Sequence, residues 1–358
     1  VGGVEKVVQA MAEGLQGKVN VEVLACHSKG WGNKQLINGV KVTYASSVGI
    51  YWGMPISFTF PFLLAWESRK VDILHFHLPF PLGVLSYLLM GSKRKKVVVT
   101  YHSDIVRQEK LMRFYGPFLH QFLERADKIL VTSPNLLESS KHLGPYKDKC
   151  IVVPLWIDLK EFGQSIKKFD LGISLNEKKV LFVGRLSYYK GVDYLIEAMQ
   201  EVDAILLIVG EGELRGKLEQ KAKSLRVDRK VIFLGRLSDE KLKYCYQICD
   251  VFVLPSIEPS EAFGFVQLEA MAYGKPVVNT SLPTGVPFVS KHGETGFTVP
   301  PRDPKALAEA INRILNDKEL ARRFSENARK RVCEFSKEKM LERIYEIYCE
   351  LMHPKTPR

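Results

Sequence analysis

The sequence predicts an α/β protein of two domains, each built on a parallel sheet, and three observations carry that expectation. Short apolar runs alternate with helical patterns along the whole chain, which is how parallel strands joined by crossover helices read. At 358 residues the chain exceeds what one ordinary core covers. A polar stretch at 159–177 without strong periodicity separates two such alternating series. A hydrophobic content of 46% with 26% charged residues is that of a soluble globular protein. Disorder is expected only in the basic, proline-containing residues 353–358.

Along the first portion, strands are expected at 21–25, 40–44, 72–76, 97–101 and 129–132. In the second they are expected at 179–183, 204–209, 231–234, 251–254 and 276–279. Two sheets are implied. Residues 151–158 read as a last strand and exit, so the linker falls near 158–169 and the domains at 1–160 and 161–336. Met340, Ile344, Ile347, Tyr348 and Leu351 form a helical stripe over 337–352.

The formal charge is +12, and residues 1–160 carry 20 basic and 12 acidic side chains, hence eight of those twelve charges. Such an excess points to anionic partners: phosphates, an acidic membrane face or nucleic acid. Nucleic acid is not expected, because no recognised binding module accompanies the charge. Six scattered cysteines without a signal peptide fit a reducing, cytoplasmic compartment. Cys245 and Cys249, four apart on a helix, lack the second pair or histidines of a metal site and read as buried small residues. Between Thr43 and Trp66 no charged residue occurs. Gly49, Gly53, Pro55 and Pro61 interrupt that run, so it reads as a loop and a short buried or interfacial helix, not a membrane span.

The most informative motif opens a predicted helix directly after the strand 251–254. Glu261 and Glu269 are eight residues apart, so with Glu261 in the first turn both face one side, about 12 Å apart along the axis. Between them the amides of Ala262, Phe263, Gly264 and Phe265 would point at a diphosphate. The pair spans roughly the distance from a sugar to the ribose of a nucleotide-sugar. Gly184, Arg185 and Lys190 follow the strand 179–183, and the two cations could converge on phosphate oxygens there; solvated surface cations are the plain alternative. Gly210 and Gly212 open a helix in a near-match to a dinucleotide fingerprint, with one residue too many in the spacing. In the first portion His102 and Asp104 follow the strand 97–101, and a capping turn made by Ser103 or Asp104 is the plain alternative. His75 and His77 share a strand, are expected to face opposite sides of it, and read as structural. Basic and aromatic residues interleave over 107–122, from Arg107 and Lys110 to Phe122, near the cluster 93–96. Either an anionic-bilayer contact or a solvated helix face accounts for them.

These residues resemble the retaining glycosyltransferases of family 4 with the GT-B fold. The resemblance rests on the spaced glutamates Glu261 and Glu269 followed by residues 270–277, on residues 183–186 with Lys190 and Gly191, and on Gly2, Gly3, Val4 and Glu5. Residues 284–296 look most like the mannosyltransferase-like branch of polysaccharide biosynthesis. The resemblance implies two Rossmann-like domains facing a cleft, with a C-terminal helix (337–358) crossing back to the first. It places the Gly2-Gly3 loop after a strand, so the first sheet is expected to lack one in this numbering.

It further implies transfer of a hexose from a nucleoside-diphosphate-sugar, GDP-mannose or a UDP-hexose, to a hydroxyl acceptor, lipid-linked or a growing polysaccharide. Glu261, His102, Arg185 and Lys190 would be catalytic. Gly2, Gly3, Gly184, Arg185, Lys190, Gly210, Phe263, Gly264, Phe265 and Glu269 would bind the donor, and Asp104 would lie near the acceptor. No Asp-x-Asp occurs, so the diphosphate is expected to be held without metal and no further cofactor is called for. Peripheral contact with the inner face of an anionic membrane is the accompanying expectation. A sugar-nucleotide epimerase on the same sheets, a nucleotide- or membrane-binding module without turnover, and an NAD-dependent dehydrogenase are the competing classes.

Overall fold

The computed structural model describes residues 3–51, 54–105, 109–162, 167–172 and 176–353. The chain divides into two compact units, Val1–Pro154 with Glu338–Arg358, and Leu155–Lys337. The boundary falls before the expected 160. Ile157 is buried in the second unit, where its backbone bonds to Phe335 and Lys337.

In the first unit, β1 (Glu22–Cys26), β2 (Asn33–Ile37) and β3 (Val40–Ala45) form a small sheet of order β1-β3-β2, in which β1 and β3 are parallel and β2 antiparallel. The strands β4 (Gly49–Tyr51) and β5 (Met54–Ile56) make a hairpin. A second sheet runs in chain order through β6 (Ile73–Leu78), β7 (Lys96–Tyr101), β8 (Lys128–Val131) and β9 (Cys150–Val152), all parallel. The single sheet expected here is therefore corrected to three among the described residues. Apolar runs announce strands but not which strands pair.

The uncharged segment resolves into the β4-β5 hairpin and the helix Phe60–Glu67, whose Phe60 and Leu64 are buried. Met340, Ile344 and Ile347 of the last helix, Lys337–Met352, are buried too. Leu341 of that helix lies against Gly14, and Tyr348 bonds to His75, so the helix is part of the first unit's packing.

The second unit holds one parallel sheet of β10 (Lys179–Val183), β11 (Ile205–Val209), β12 (Val231–Gly235), β13 (Val251–Leu254), β14 (Val277–Thr280) and β15 (Gly296–Val299). Helices cover both faces, which is why its strands read as near-continuous apolar runs. Phe182, Leu206, Ile311 and Phe324 belong to the core on one side, and Leu181, Leu207, Phe252 and Met271 to that on the other. The order is β12-β11-β10-β13-β14-β15. Starting from β10, the chain winds outward in one direction and then, at β13, resumes on the other flank. Outside the carboxyl ends of β10 and β13 lies the crevice that such a reversal leaves, the usual ligand position in open α/β sheets.

Candidate active site

The chain leaves β10 through Gly184 and Arg185 and reaches Lys190 at the end of a short 3-10 turn, Tyr188–Lys190. From β13 it passes Ser256 and reaches Glu261. Across the crevice, Lys190 Nζ and Glu261 Oε2 are 2.5 Å apart, each side chain 10% exposed. Ser256 Oγ donates to the same carboxylate oxygen at 3.0 Å. An added Cβ at Gly184 would come 3.6 Å from Lys190 Nζ, so that backbone flanks the ammonium. Two residues 71 apart in sequence thus form a buried, hydrogen-bonded ion pair at the point where strand order reverses.

Gly210 follows β11 with its backbone against β10's exit, where an added Cβ would lie 2.0 Å from Gly184 O. Arg185 does not join Lys190 in the buried pair. Its guanidinium is exposed and donates through Nε and Nη2 to Glu213 Oε2 at 3.3 and 3.2 Å. Of the two cations expected to converge, one is thus buried against Glu261 and the other is held on the surface by an acid of the next loop.

The helix expected from Glu261 begins five residues later, at Val266, and runs seven residues to Ala272. Gly264 is the reason, because its φ of +73° is incompatible with a right-handed turn. Glu261 is consequently not on the helix, and the two-turn spacing to Glu269 along one helical face is corrected. Phe263 is buried against Phe335, Ala262 O accepts from Gly285 N at 2.8 Å, and Phe265 is the N-cap. Glu269 sits on the helix and accepts from Tyr246 Oη at 2.6 Å.

In the first unit, His77 near the carboxyl end of β6 and His102 just past β7 meet at 3.1 Å through Nδ1 and Nε2. His75 stacks on His77 with ring centroids 4.8 Å apart. It contacts Tyr348 Oη at 2.5 Å and Thr100 Oγ1 at 2.7 Å. The expectation that His75 and His77 face opposite sides is corrected, since residues two apart on a strand share a face. Burial drives all three below the ordinary imidazole value: His75 to about 3, His102 to about 4, and His77 well down. They are neutral rings at pH 7. Asp104 accepts from Tyr101 Oη and Ser140 Oγ, each at 2.7 Å, and from Lys141 N at 3.1 Å.

Gly2 lies outside the described residues and Gly3 opens the helix Gly3–Gly14. Arg107 of the basic-aromatic segment also lies outside them. Residues 109–122 of that segment fall on the helix Glu109–Arg125, with Phe114 and Phe118 exposed and Phe122 buried. Cys245 and Cys249 are buried free thiols. No group of three or more His, Cys, Asp or Glu among the described residues could hold a metal ion. Sequence reasoning missed Ser256 and Tyr246. Ser256 carries a weak signal in its place two residues past a buried strand, where open sheets put ligand contacts.

A doubly wound sheet with a charged pair at its switch point is the architecture of a ligand-binding α/β protein, and the comparisons say of which kind. Residues 163–331 match the family model described as Glycosyl transferases group 1, and residues 1–161 match that of Glycosyltransferase Family 4. The chain belongs to glycosyltransferase family 4 and is a glycosyltransferase of the GT-B type. Among its relatives, an O-antigen chain mannosyltransferase C of Escherichia coli is 34% identical over 80% of this chain and 77% of its own. The D-rhamnosyltransferase WbpZ of Pseudomonas aeruginosa is 36% identical over 74% and 69%. Of solved structures, a sucrose-phosphate synthase from Thermosynechococcus elongatus superposes with a TM-score of 0.78 at 25% identity, covering 99% of this chain and 95% of that one. Anabaena HepE in complex with UDP does so with 0.79 at 19% identity, over 98% and 96%, a likeness of fold. Matches of this kind favour a transferase over the epimerase, module and dehydrogenase readings.

Proposed function

We propose that this glycosyltransferase takes a hexose, with retention and without metal or further cofactor, from a nucleoside-diphosphate-sugar such as GDP-mannose or a UDP-hexose. The acceptor would be a hydroxyl of a lipid-linked or growing polysaccharide, presented at the cytoplasmic face of an anionic membrane. One observation carries the reading: the buried Lys190–Glu261 pair stands at the sheet's switch point, where a phosphorylated ligand belongs. The activities named for the mannosyl- and rhamnosyltransferase relatives, and UDP in the HepE structure, support the donor class.

Breaking the anomeric bond leaves an oxocarbenium-like sugar and additional charge on the diphosphate, so stabilising the departing phosphate is the main task. Lys190 would turn its ammonium from Glu261 to the phosphate oxygens, and Arg185 would leave Glu213 for the same group. Gly184 and Gly210 give the backbone room beside them, with Gly2 and Gly3 proposed as further contacts. Glu261, released from Lys190, would accept from sugar hydroxyls. Glu269, oriented by Tyr246, would accept from the ribose, with the backbone at Phe263, Gly264 and Phe265 alongside the diphosphate. His102, kept neutral, would offer its remaining ring nitrogen to the sugar. Asp104 has lone pairs beyond its three donors for an acceptor hydroxyl.

A thermal-shift panel of GDP-mannose, UDP-glucose and related donors tests this, because a ligand that binds the folded state raises its melting temperature. One donor should stabilise the wild type and not Glu261→Gln, with EDTA leaving the shift unchanged. A shift that survives Glu261→Gln undiminished counts against the site.

A further inference from the structure

The helix Phe60–Glu67 is apolar on two sides. Phe60 and Leu64 enter the first unit's core, while Phe58, Phe62 and Trp66 are 74%, 65% and 58% exposed. Phe62 and Trp66, four residues apart, share one outer stripe of the helix, and Phe58 is exposed just ahead of its N-cap. Exposed Arg69 and Lys70 follow at its end, with Lys70 Nζ 5.4 Å from the Trp66 ring. Glu67, the one acid in this stretch, is paired by Lys70 at 2.5 Å and Lys34 at 3.4 Å, so cations outnumber it at that end. Just ahead, Val48, Ile50 and Tyr51 of the hairpin segment are also more than half exposed.

The neighbouring helix carries exposed aliphatic side chains and cations at its end. Pro81–Met90 packs against Phe60–Glu67 and ends in exposed Leu89 and Met90, followed by exposed Lys93 and Arg94. Aromatics with cations at one end are the chemistry of a lipid–water interface: rings settle at headgroup depth and cations meet anionic headgroups. Eight residues are too few to cross a bilayer, and among the described residues no helix is long and apolar enough to do so.

We propose that this face, with Phe58, Phe62 and Trp66 as its anchors and Arg69, Lys70, Lys93 and Arg94 as its cationic edge, docks the first unit onto an anionic bilayer. The inference rests on the reading of a membrane-presented acceptor and assigns the contact to a surface apart from the basic-aromatic segment 107–122. None of these residues belongs to the donor site.

Flotation of the full chain with phosphatidylcholine vesicles, with and without about 30% phosphatidylglycerol, tests it. Wild type should float with the anionic vesicles only and be released by salt. The variant Phe62→Ser/Trp66→Ser should bind at least tenfold more weakly, and Arg69→Ser/Lys70→Ser several-fold more weakly, with a shallower salt dependence. Both should keep the wild-type donor thermal shift, so failure of the membrane surface is read separately from failure of the donor site. Equal flotation of wild type and Phe62→Ser/Trp66→Ser overturns the proposal. So does an oligomer that this variant dissociates while wild type ignores vesicles, which would make a second copy the occupant.

Discussion

Replacing Glu261 by glutamine should cost more stability than any single polar change elsewhere in the second unit. The side chain keeps its shape, and the glutamine oxygen can still accept from Ser256 Oγ, but Lys190 is left as a buried ammonium without its counter-charge at 2.5 Å. Removing one partner of a buried pair costs about 3–5 kcal/mol, because the survivor keeps its desolvation penalty. For a unit of this size, at about 2–4 °C per kcal/mol, the melting temperature should fall by roughly 6–20 °C. The double variant Lys190→Met/Glu261→Gln removes both charges and should recover part of the loss, a coupling on the order of 1–3 kcal/mol. Thermal and urea unfolding of wild type, both single variants and the double variant measure it. Singles that melt within about 2 °C of wild type, or losses that simply add, would refute the claim that these groups are buried against each other.

The remaining predictions separate binding from folding. Arg185→Ala removes a largely exposed ion pair and should change stability by less than about 1 kcal/mol. It should nevertheless weaken nucleoside-diphosphate binding about tenfold in calorimetry, the loss of one charge-assisted hydrogen bond. Gly264→Ala puts a Cβ 2.5 Å from Gln267 Nε2 at a φ of +73° and should destabilise by more than about 1 kcal/mol in urea titration. Acid should weaken the fold through the histidines. The native state holds His102 neutral down to about 4, while the unfolded chain takes up protons from about 6.5. Stability from this source is therefore complete above 6.5 and falls as pH drops toward 4, by on the order of 3 kcal/mol for His102 at about 1.4 kcal/mol per pH unit. Urea midpoints at several pH values, with His102→Gln as the flatter control, check the sign.

What the chain disclosed before its structure was known follows from which physical signals are local. Each of the ten expected strands overlaps an observed one, most clearly in the second unit, where a strand buried on both faces must be apolar along its length. Asn33–Ile37 escaped because it is polar and mostly exposed at a sheet edge, and Gly296–Val299 because a four-residue run that opens on glycine and holds a threonine gives little apolar signal. The start of the helix at Val266 was misplaced for a related reason. An eight-residue spacing of glutamates fits a helix as pattern, but Gly264 in a left-handed conformation halts it, and glycine in sequence does not announce its φ.

The candidate site was legible as residue types and illegible as pairings. Lys190, Glu261, His102 and Glu269 could each be named, but the partner of each is set by the order of strands in a sheet. Lys190 meets Glu261 because β13 returns to lie beside β10 after two crossovers on the far flank. His77 meets His102 because β6 and β7 are neighbours in register. Arg185, one residue beyond Gly184, is drawn off by Glu213 from the adjacent loop. In each case the long-range contact decides the electrostatics. On the proposed function, Lys190 is a stored cation that would be released only to a ligand offering it more charge than Glu261 does. A diphosphate in the crevice meets that condition, and a neutral sugar alone does not. The pair at the switch point should thus discriminate by charge before any contact with the hexose is made.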